Sequence, residues 1–196
     1  MSIKIAIGVP SGDMVHADFA MSLARLMSYT MLSKDKIDII LINVKSSIVQ
    51  KGRHETVLKA LKFKVDYLLF LDSDMVFPAD VIIRLLDSGM DVIGCNYPTR
   101  NTPFKPTCRN KLEQLVNSSD DSITEVGFIA TGCLLINMKV FKKMKAPYFN
   151  VEWRGKDFLG EDYLFCEAAR KLGYSVFCDN KLSKEIKHIG CAGYKL

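Results

Sequence analysis

A run of apolar residues beginning at Tyr67, "YLLFLDSDMVF", is interrupted by two aspartates one residue apart, Asp72 and Asp74. Two carboxylates at the end of a buried strand repel each other unless water solvates them or a cation lies between them. Side chains alternate along a strand, so positions 72 and 74 point to the same side. Two hard oxygen ligands facing one way suit Mg²⁺ or Mn²⁺, which take one or two carboxylates and complete their shell with substrate phosphates and water. The chain carries neither GxxxxGK[ST] nor GxGxxG, so no P-loop or dinucleotide fingerprint competes for the phosphates and a metal would have to hold them. The same D-x-D also reads as a solvated turn. A second carboxylate pair, Glu161 and Asp162, opens the stretch "GEDYLFCEAARKLG". At a helix start the dipole favours negative charge, so these acids are expected to have lowered pKa values and to be ionised at neutral pH. Their plainer reading is as favourable first-turn acids.

These residues need a frame. The 196 residues, 48% hydrophobic, suffice for one domain with a real core. Strand-like "IKIAIGV" (3–9) is followed by Phe19, Leu23, Leu26 and Met27 at helical spacing. "IDIILI" (37–42) is a second strand, and Val57, Leu58 and Leu61 mark a helix after Gly52. "DYLLFL" is a third strand, "PADVIIRLLDSG" a helix with Pro78 near its first turn and Gly89 past its end, and "MDVIGCNY" a fourth strand. This alternation predicts right-handed crossovers and an α/β fold, Rossmann-like, with a mostly parallel sheet covered by helices on both faces. In such a sheet ligands bind beyond the carboxyl ends of the strands, the edge where Asp72 and Asp74 stand.

From residue 97 to about 122 the chain is polar and proline-bearing, a loop excursion and candidate lid. "ITEVGFIATGCLLIN" returns to strand character, interrupted at Thr131 and Gly132, before a short helix at "MKVFKKM". Leu164, Phe165, Ala168, Ala169 and Leu172 give the helix after Gly160 its apolar face, and "SVFCD" and "IKHIGCAGY" end the chain. The six cysteines (Cys95, Cys108, Cys133, Cys166, Cys178, Cys191) form no CxxC and read as reduced core residues. No signal peptide or apolar run of transmembrane length is visible, so a cytoplasmic chain without a transmembrane segment is expected. A net charge of +5 permits an anionic ligand without demanding one.

Taken in order, "RHETVLKAL", "YLLFLDSDMVFPADVIIRLL", "DVIGCNYPTR", "ATGCLLIN", "GEDYLFCEAARKLGYSVFCD" and "KHIG" resemble a glycosyltransferase of the GT-A fold, close to small bacterial and phage members of the family-two-like group. The resemblance runs from Ile3 to Gly190. It implies a single GT-A-like domain, with residues 1–95 the nucleotide-sugar-binding half and 96–196 the acceptor and catalytic half. It further implies that Asp72, Asp74 and His188 form a metal site for Mn²⁺ or Mg²⁺, with Asp74 holding the cation directly and Asp72 reaching the ribose or a metal-bound water. An imidazole ligand tilts the metal toward manganese. Alone, a late histidine is surface filler.

The donor-binding set implied in the same way is Pro10, Ser11, Gly12, Arg53, Asp72, Ser73, Thr131 and Gly132, with Asp13 and His16 nearby. The alternatives are an ordinary strand-to-helix turn at 10–12 and a solvated helix charge at Arg53. Asp162, with Glu161 beside it, matches the general base of inverting relatives. Tyr148 and Trp153 could stack on an acceptor or be core or rim aromatics. The partners implied are a nucleotide-sugar donor, a UDP-sugar by expectation, and an acceptor that is a glycan or small molecule, with a nucleic acid as a further option. The chain stops six residues after Gly190, so acceptor choice is expected from residues 97–125 and 145–160 or from a partner. Two other classes stay open: a metal-dependent nucleotidyltransferase, although "GVPSGDMVH" lacks that class's basic loop residue, and a non-catalytic nucleotide-sugar binder of the same fold. Oligomeric state is not fixed by the sequence.

Overall fold

A computed structural model describes residues 2–34, 36–100 and 102–190. The first strands are β1 (Ile3–Ser11), β2 (Ile37–Lys45) and β3 (Tyr67–Leu71), joined by helices α1 (Ala17–Leu32) and α2 (Val49–Phe63). All three strands run parallel, with β1 between the other two. After β3 come the short β4 (Met75–Val76), α3 (Val81–Asp87) and β5 (Val92–Gly94). The second half contributes β6 (Ile123–Val126), β7 (Cys133–Asn137), α4 (Met138–Lys143), the hairpin β8 (Glu152–Arg154) and β9 (Asp157–Leu159), α5 (Glu161–Lys171), β10 (Val176–Asp179), α6 (Asn180–Ser183) and β11 (Lys187–His188).

The main sheet has the order β2-β1-β3-β7-β5-β10-β6. It is the expected Rossmann-like, mostly parallel α/β sheet, with two reversals. β7 runs antiparallel to both β3 and β5, and β6 runs antiparallel to β10. Alternation along each strand sends neighbours to opposite faces. Ala6, Leu68, Phe70 and Leu134 thus share one apolar layer with Val57 of α2, Phe141 of α4 and Phe165 of α5. Ile5, Ile7, Leu69 and Leu135 face the other layer, with Phe19 and Leu26 of α1 and Val81 and Leu85 of α3. Helices cover both faces, which is why β3 and β7 read as unbroken apolar runs.

Several boundaries differ from expectation for local reasons. α2 begins at Val49, before Gly52. A Cβ at Gly52 would stand 3.4 Å from Ser46 Cβ and 3.6 Å from Pro10 Cβ, so the glycine lets the first turn pass close to the loop after β1. Leu58 faces solvent while Val57 and Ala60 carry the buried side. Leu172 lies just past the last residue of α5 and is exposed. Pro78 precedes α3, its carbonyl accepting from Val81 N (3.3 Å). The excursion is tied down rather than loose. Buried Asn96 accepts at Oδ1 from Thr107 N and Cys108 N and donates from Nδ2 to Val116 O, and Pro98 bridges to Pro106. Cys95, Cys108, Cys133, Cys166 and Cys178 are free and buried, as expected; Cys191 lies outside the described residues.

Candidate active site

The aspartate pair sits in the turn between β3 and β4, beyond the carboxyl end of β3. Three main-chain bonds from distant parts of the chain set this turn. Asp72 N donates to Gly132 O (3.0 Å), His16 N to Ser73 O (3.1 Å) and Ile189 N to Asp74 O (2.8 Å). A two-residue antiparallel ladder, Met75 opposite His188, then brings the late histidine to the turn. His188 Nε2 is 3.5 Å from Asp74 Oδ2, and its Nδ1 is 2.9 Å from Pro98 O. The Asp74 carboxylate holds the His188 proton on and raises its pKa: in the imidazolium Nδ1–H donates to Pro98 O and Nε2–H faces Asp74, and loss of the Nε2 proton would leave a lone pair there for a cation. Partial burial would raise the Asp74 carboxyl, but the His188 hydrogen bond and the charges of His188 and Arg100 outweigh it and hold it below its usual range.

Asp72 is turned elsewhere. Arg53, buried in the first half of α2, donates from Nη1 to Asp72 Oδ1 (2.9 Å) and from Nη2 to Asp72 Oδ2 (3.1 Å). Its Nε donates to Glu161 Oε1 (3.1 Å) at the start of α5. One planar guanidinium thereby fixes the "DSD" and "GED" stretches relative to each other, a two-sided fork that lysine cannot reproduce. Arg53 is not the solvated helix charge that its sequence context also allowed.

Asp162 lies beside this pair, Oδ1 accepting from Tyr163 N (2.8 Å). Its pKa is pushed up to about 6, by burial first and then by the charge of Glu161. This corrects the expected lowering: the helix start and Arg53 do pull downward, but enclosure wins. The carboxyl is still predominantly ionised above pH 7. Gly132 packs against Tyr97 and Asp72. A Cβ there would collide with the Tyr97 hydroxyl and stand 3.2 Å from Asp72 Oδ2. Gly132 N donates to that hydroxyl (2.9 Å), and burial keeps Tyr97 neutral. Thr131 is buried, and its Oγ1 has no hydrogen-bond partner among the described residues.

Pro10, Ser11 and Gly12 share one cleft with Arg53, Asp72, Ser73 and Asp74. Asp13 points away from it, pairing with Lys45 at the surface. Tyr148 stacks on His54 (5.4 Å) and is a rim aromatic. Trp153 is 57% exposed and packs edge-on against Phe158, 4.9 Å away, on the β8–β9 hairpin that leads through Gly160 into Asp162. Two site residues had no role from the sequence. Arg100 Nη1 lies 2.9 Å from Asp74 Oδ2, and Tyr97 meets both Gly132 and the His188 ring. Both belong to "NYPTR", just beyond the carboxyl end of β5, and that edge was the available signal.

Among the described residues, no group of three or more His, Cys, Asp or Glu side chains is arranged to hold a metal. Asp74 and His188 nevertheless offer a carboxylate and an imidazole aimed at each other, a donor pair that fits a divalent cation whose remaining ligands come from substrate and water.

The sheet order, with a cleft beyond the carboxyl end of β3, is that of a GT-A-like α/β fold. Among solved structures, A197 from STIV superposes over 99% of this chain and 98% of its own, with a TM-score of 0.64 and 16% identity. A Drosophila beta-1,4-galactosyltransferase 7 mutant, solved in complex with manganese, UDP-Gal and xylobiose, matches 96% of this chain and 71% of its own, at TM-score 0.55 and 16% identity. S. aureus TarS 1-349 matches 96% of this chain and 60% of its own, at TM-score 0.51 and 14% identity. No protein-family model and no curated protein sequence matches the chain. No helix among the described residues is long and apolar enough to cross a membrane.

Proposed function

We propose that the protein is a metal-dependent glycosyltransferase that moves a sugar from a nucleotide-diphosphate sugar, a UDP-sugar in the first instance, to an acceptor hydroxyl with inversion. The observation that carries this reading is the Arg53 fork, which locks Asp72 and Glu161 together and so couples the cleft holding Asp74 to the carboxyl of Asp162. The manganese and UDP-Gal bound by the Drosophila neighbour, on the same fold, support the choice of donor and metal.

Asp74 and His188 would hold the cation. When bound, it supplies positive charge against the diphosphate oxygens as the leaving group departs. The remaining work falls to the chain's own groups. Pro10, Ser11, Gly12 and Ser73 shape the donor cleft, and Gly132, packed behind it against the Tyr97 hydroxyl, lets that ring sit close to Asp72. Asp162 takes the proton of the acceptor hydroxyl. The acceptor oxygen bonds to the anomeric carbon as the bond from that carbon to the diphosphate breaks, and the nucleoside diphosphate leaves.

The test is release of nucleoside diphosphate from UDP-, GDP- and CDP-sugars, with and without Mn²⁺, alongside donor binding. Asp74→Asn should weaken donor binding in the presence of Mn²⁺. Asp162→Asn should bind donor nearly as wild type while turnover falls roughly 10²- to 10⁴-fold, the usual range for loss of a general base. Wild-type turnover by Asp162→Asn would refute the assigned base. Metal-dependent donor binding with no turnover on any acceptor would point instead to a non-catalytic nucleotide-sugar binder.

A further inference from the structure

A helix that is apolar on every side is ordinarily enclosed on every side. α1, "ADFAMSLARLMSYTML", carries large apolar residues on its exposed side as well as on its buried one. It buries Phe19, Ser22, Leu26 and Thr30 against the sheet, while Met21 is 54% and Tyr29 47% exposed, and Met14 in the loop before it is 84% exposed. The apolar surface continues toward β2, the terminal strand of the sheet, where Leu41 is also half exposed beside Leu23 and Met27.

The helix carries two charged residues, Asp18 and Arg25, both exposed, and neither forms an ion pair among the described residues. They stand seven residues apart, two turns and about 10.5 Å along one side of the helix, with Met21 between them on the same stripe. One acid and one base so placed are self-complementary under a two-fold axis. If two copies of α1 pack antiparallel with the axis passing near Met21, Asp18 of each meets Arg25 of the other. The same register sets Tyr29 of one copy against Met14 of the other.

We propose that α1 is the interface of a homodimer, closed by this reciprocal pair around an apolar centre at Met21. A two-fold contact is isologous, so a single complementary stripe serves both copies. Charge balance argues for a second copy over a lipid surface. An interfacial helix that binds anionic lipid carries an excess of Lys and Arg on its polar face, whereas here one arginine is matched by one aspartate. The inference stands apart from the transfer chemistry and is tested without it.

Sedimentation equilibrium of the full chain at micromolar concentration should give twice the chain mass for the wild type. Asp18→Arg and Arg25→Asp should each weaken association at least tenfold, because each sets like charges against one another. The double variant Asp18→Arg/Arg25→Asp, in which the two charges are exchanged, should recover the dimer. Met21→Glu should be monomeric. All three positions altered, Asp18, Met21 and Arg25, are on the exposed side, and circular dichroism checks that each of the four variants is folded. A wild type that sediments as a monomer throughout, or a double variant as dissociated as the single ones, overturns the proposal. So does a monomeric wild type that floats with phosphatidylcholine vesicles, which would make lipid the occupant.

Discussion

Enclosure of Asp162 makes its negative charge expensive, and the expense has a sign that can be measured. The folded-state pKa of about 6 lies above the ordinary aspartate value of 3.8, so the folded protein holds this proton more tightly than the unfolded chain does. Ionised Asp162 therefore subtracts from stability, by nothing near pH 4, increasingly up to pH 6, and fully above it. Asp162→Asn should raise stability at pH 7.5 by about 1–3 kcal/mol, with the gain vanishing near pH 4 in urea titrations, while transfer collapses. Wild-type transfer should decline as pH falls through about 6, because Asp162, the base we propose, is then protonated. Arg53 has the opposite character. Arg53→Met would leave Asp72 and Glu161 facing one another without their cation, and removal of one partner from a buried ionic group costs about 3–5 kcal/mol. Arg53→Lys should recover only part of this. At this scale the sequence pointed to Asp72, Asp74, Arg53, Glu161, Asp162 and His188 by type and order. It did not show that Asp162 would be enclosed or that Arg100 would reach Asp74, because both follow from packing between segments far apart in the chain.

Among the elements, the strand pattern was legible because a buried strand carries its alternation or its apolar run in its own residues. Strand direction is not written there. Nothing in "CLLIN" distinguishes a parallel partner of Leu69 from the antiparallel one that β7 is, so the reversals at β7 and β6 came only with the tertiary structure. The entry to β7 is the least forgiving segment. Gly132 fits under the Tyr97 hydroxyl with its amide bonded to it. Gly132→Ala would drive the methyl into that hydroxyl, shifting Tyr97 away from His188 and the turn at Asp72. A loss of about 1–3 kcal/mol is expected, as for overpacking of a tight site, and a urea midpoint unchanged from wild type would contradict it. The β8–β9 hairpin is held differently. Arg154 donates from Nη1 and Nη2 to the two carboxylate oxygens of Glu167 on α5 (3.0 and 3.2 Å), and exposed pairs of this kind contribute roughly 0–1 kcal/mol. Glu167→Gln should leave global stability nearly unchanged while loosening the hairpin, visible as faster amide exchange at 152–159.

For the molecule as a whole, the insertion of β7 between β3 and β5 has a consequence for the order of assembly. β1, β2 and β3 pair with one another early in the chain, yet the outer edge of β3 stays open until the segment from Cys133 to Asn137 arrives. That edge is apolar on both faces, with Leu68, Leu69, Phe70 and Leu71 all fully buried in the finished fold. During synthesis at roughly 5–20 residues per second, domains of this size fold only as their late contacts become available, and an uncapped apolar strand is a template for unwanted pairing. Closure by a distant strand also raises contact order, which slows folding. In pulse-labelled refolding of the full chain, amides of β1 and β2 should gain protection before those of β3, β5 and β7, which should become protected together. The nascent protein thus passes through a stage in which half of its sheet is built and its hydrophobic seam lies open. A chaperone that binds extended apolar segments should be found on chains long enough to contain Leu71 and too short to contain Asn137.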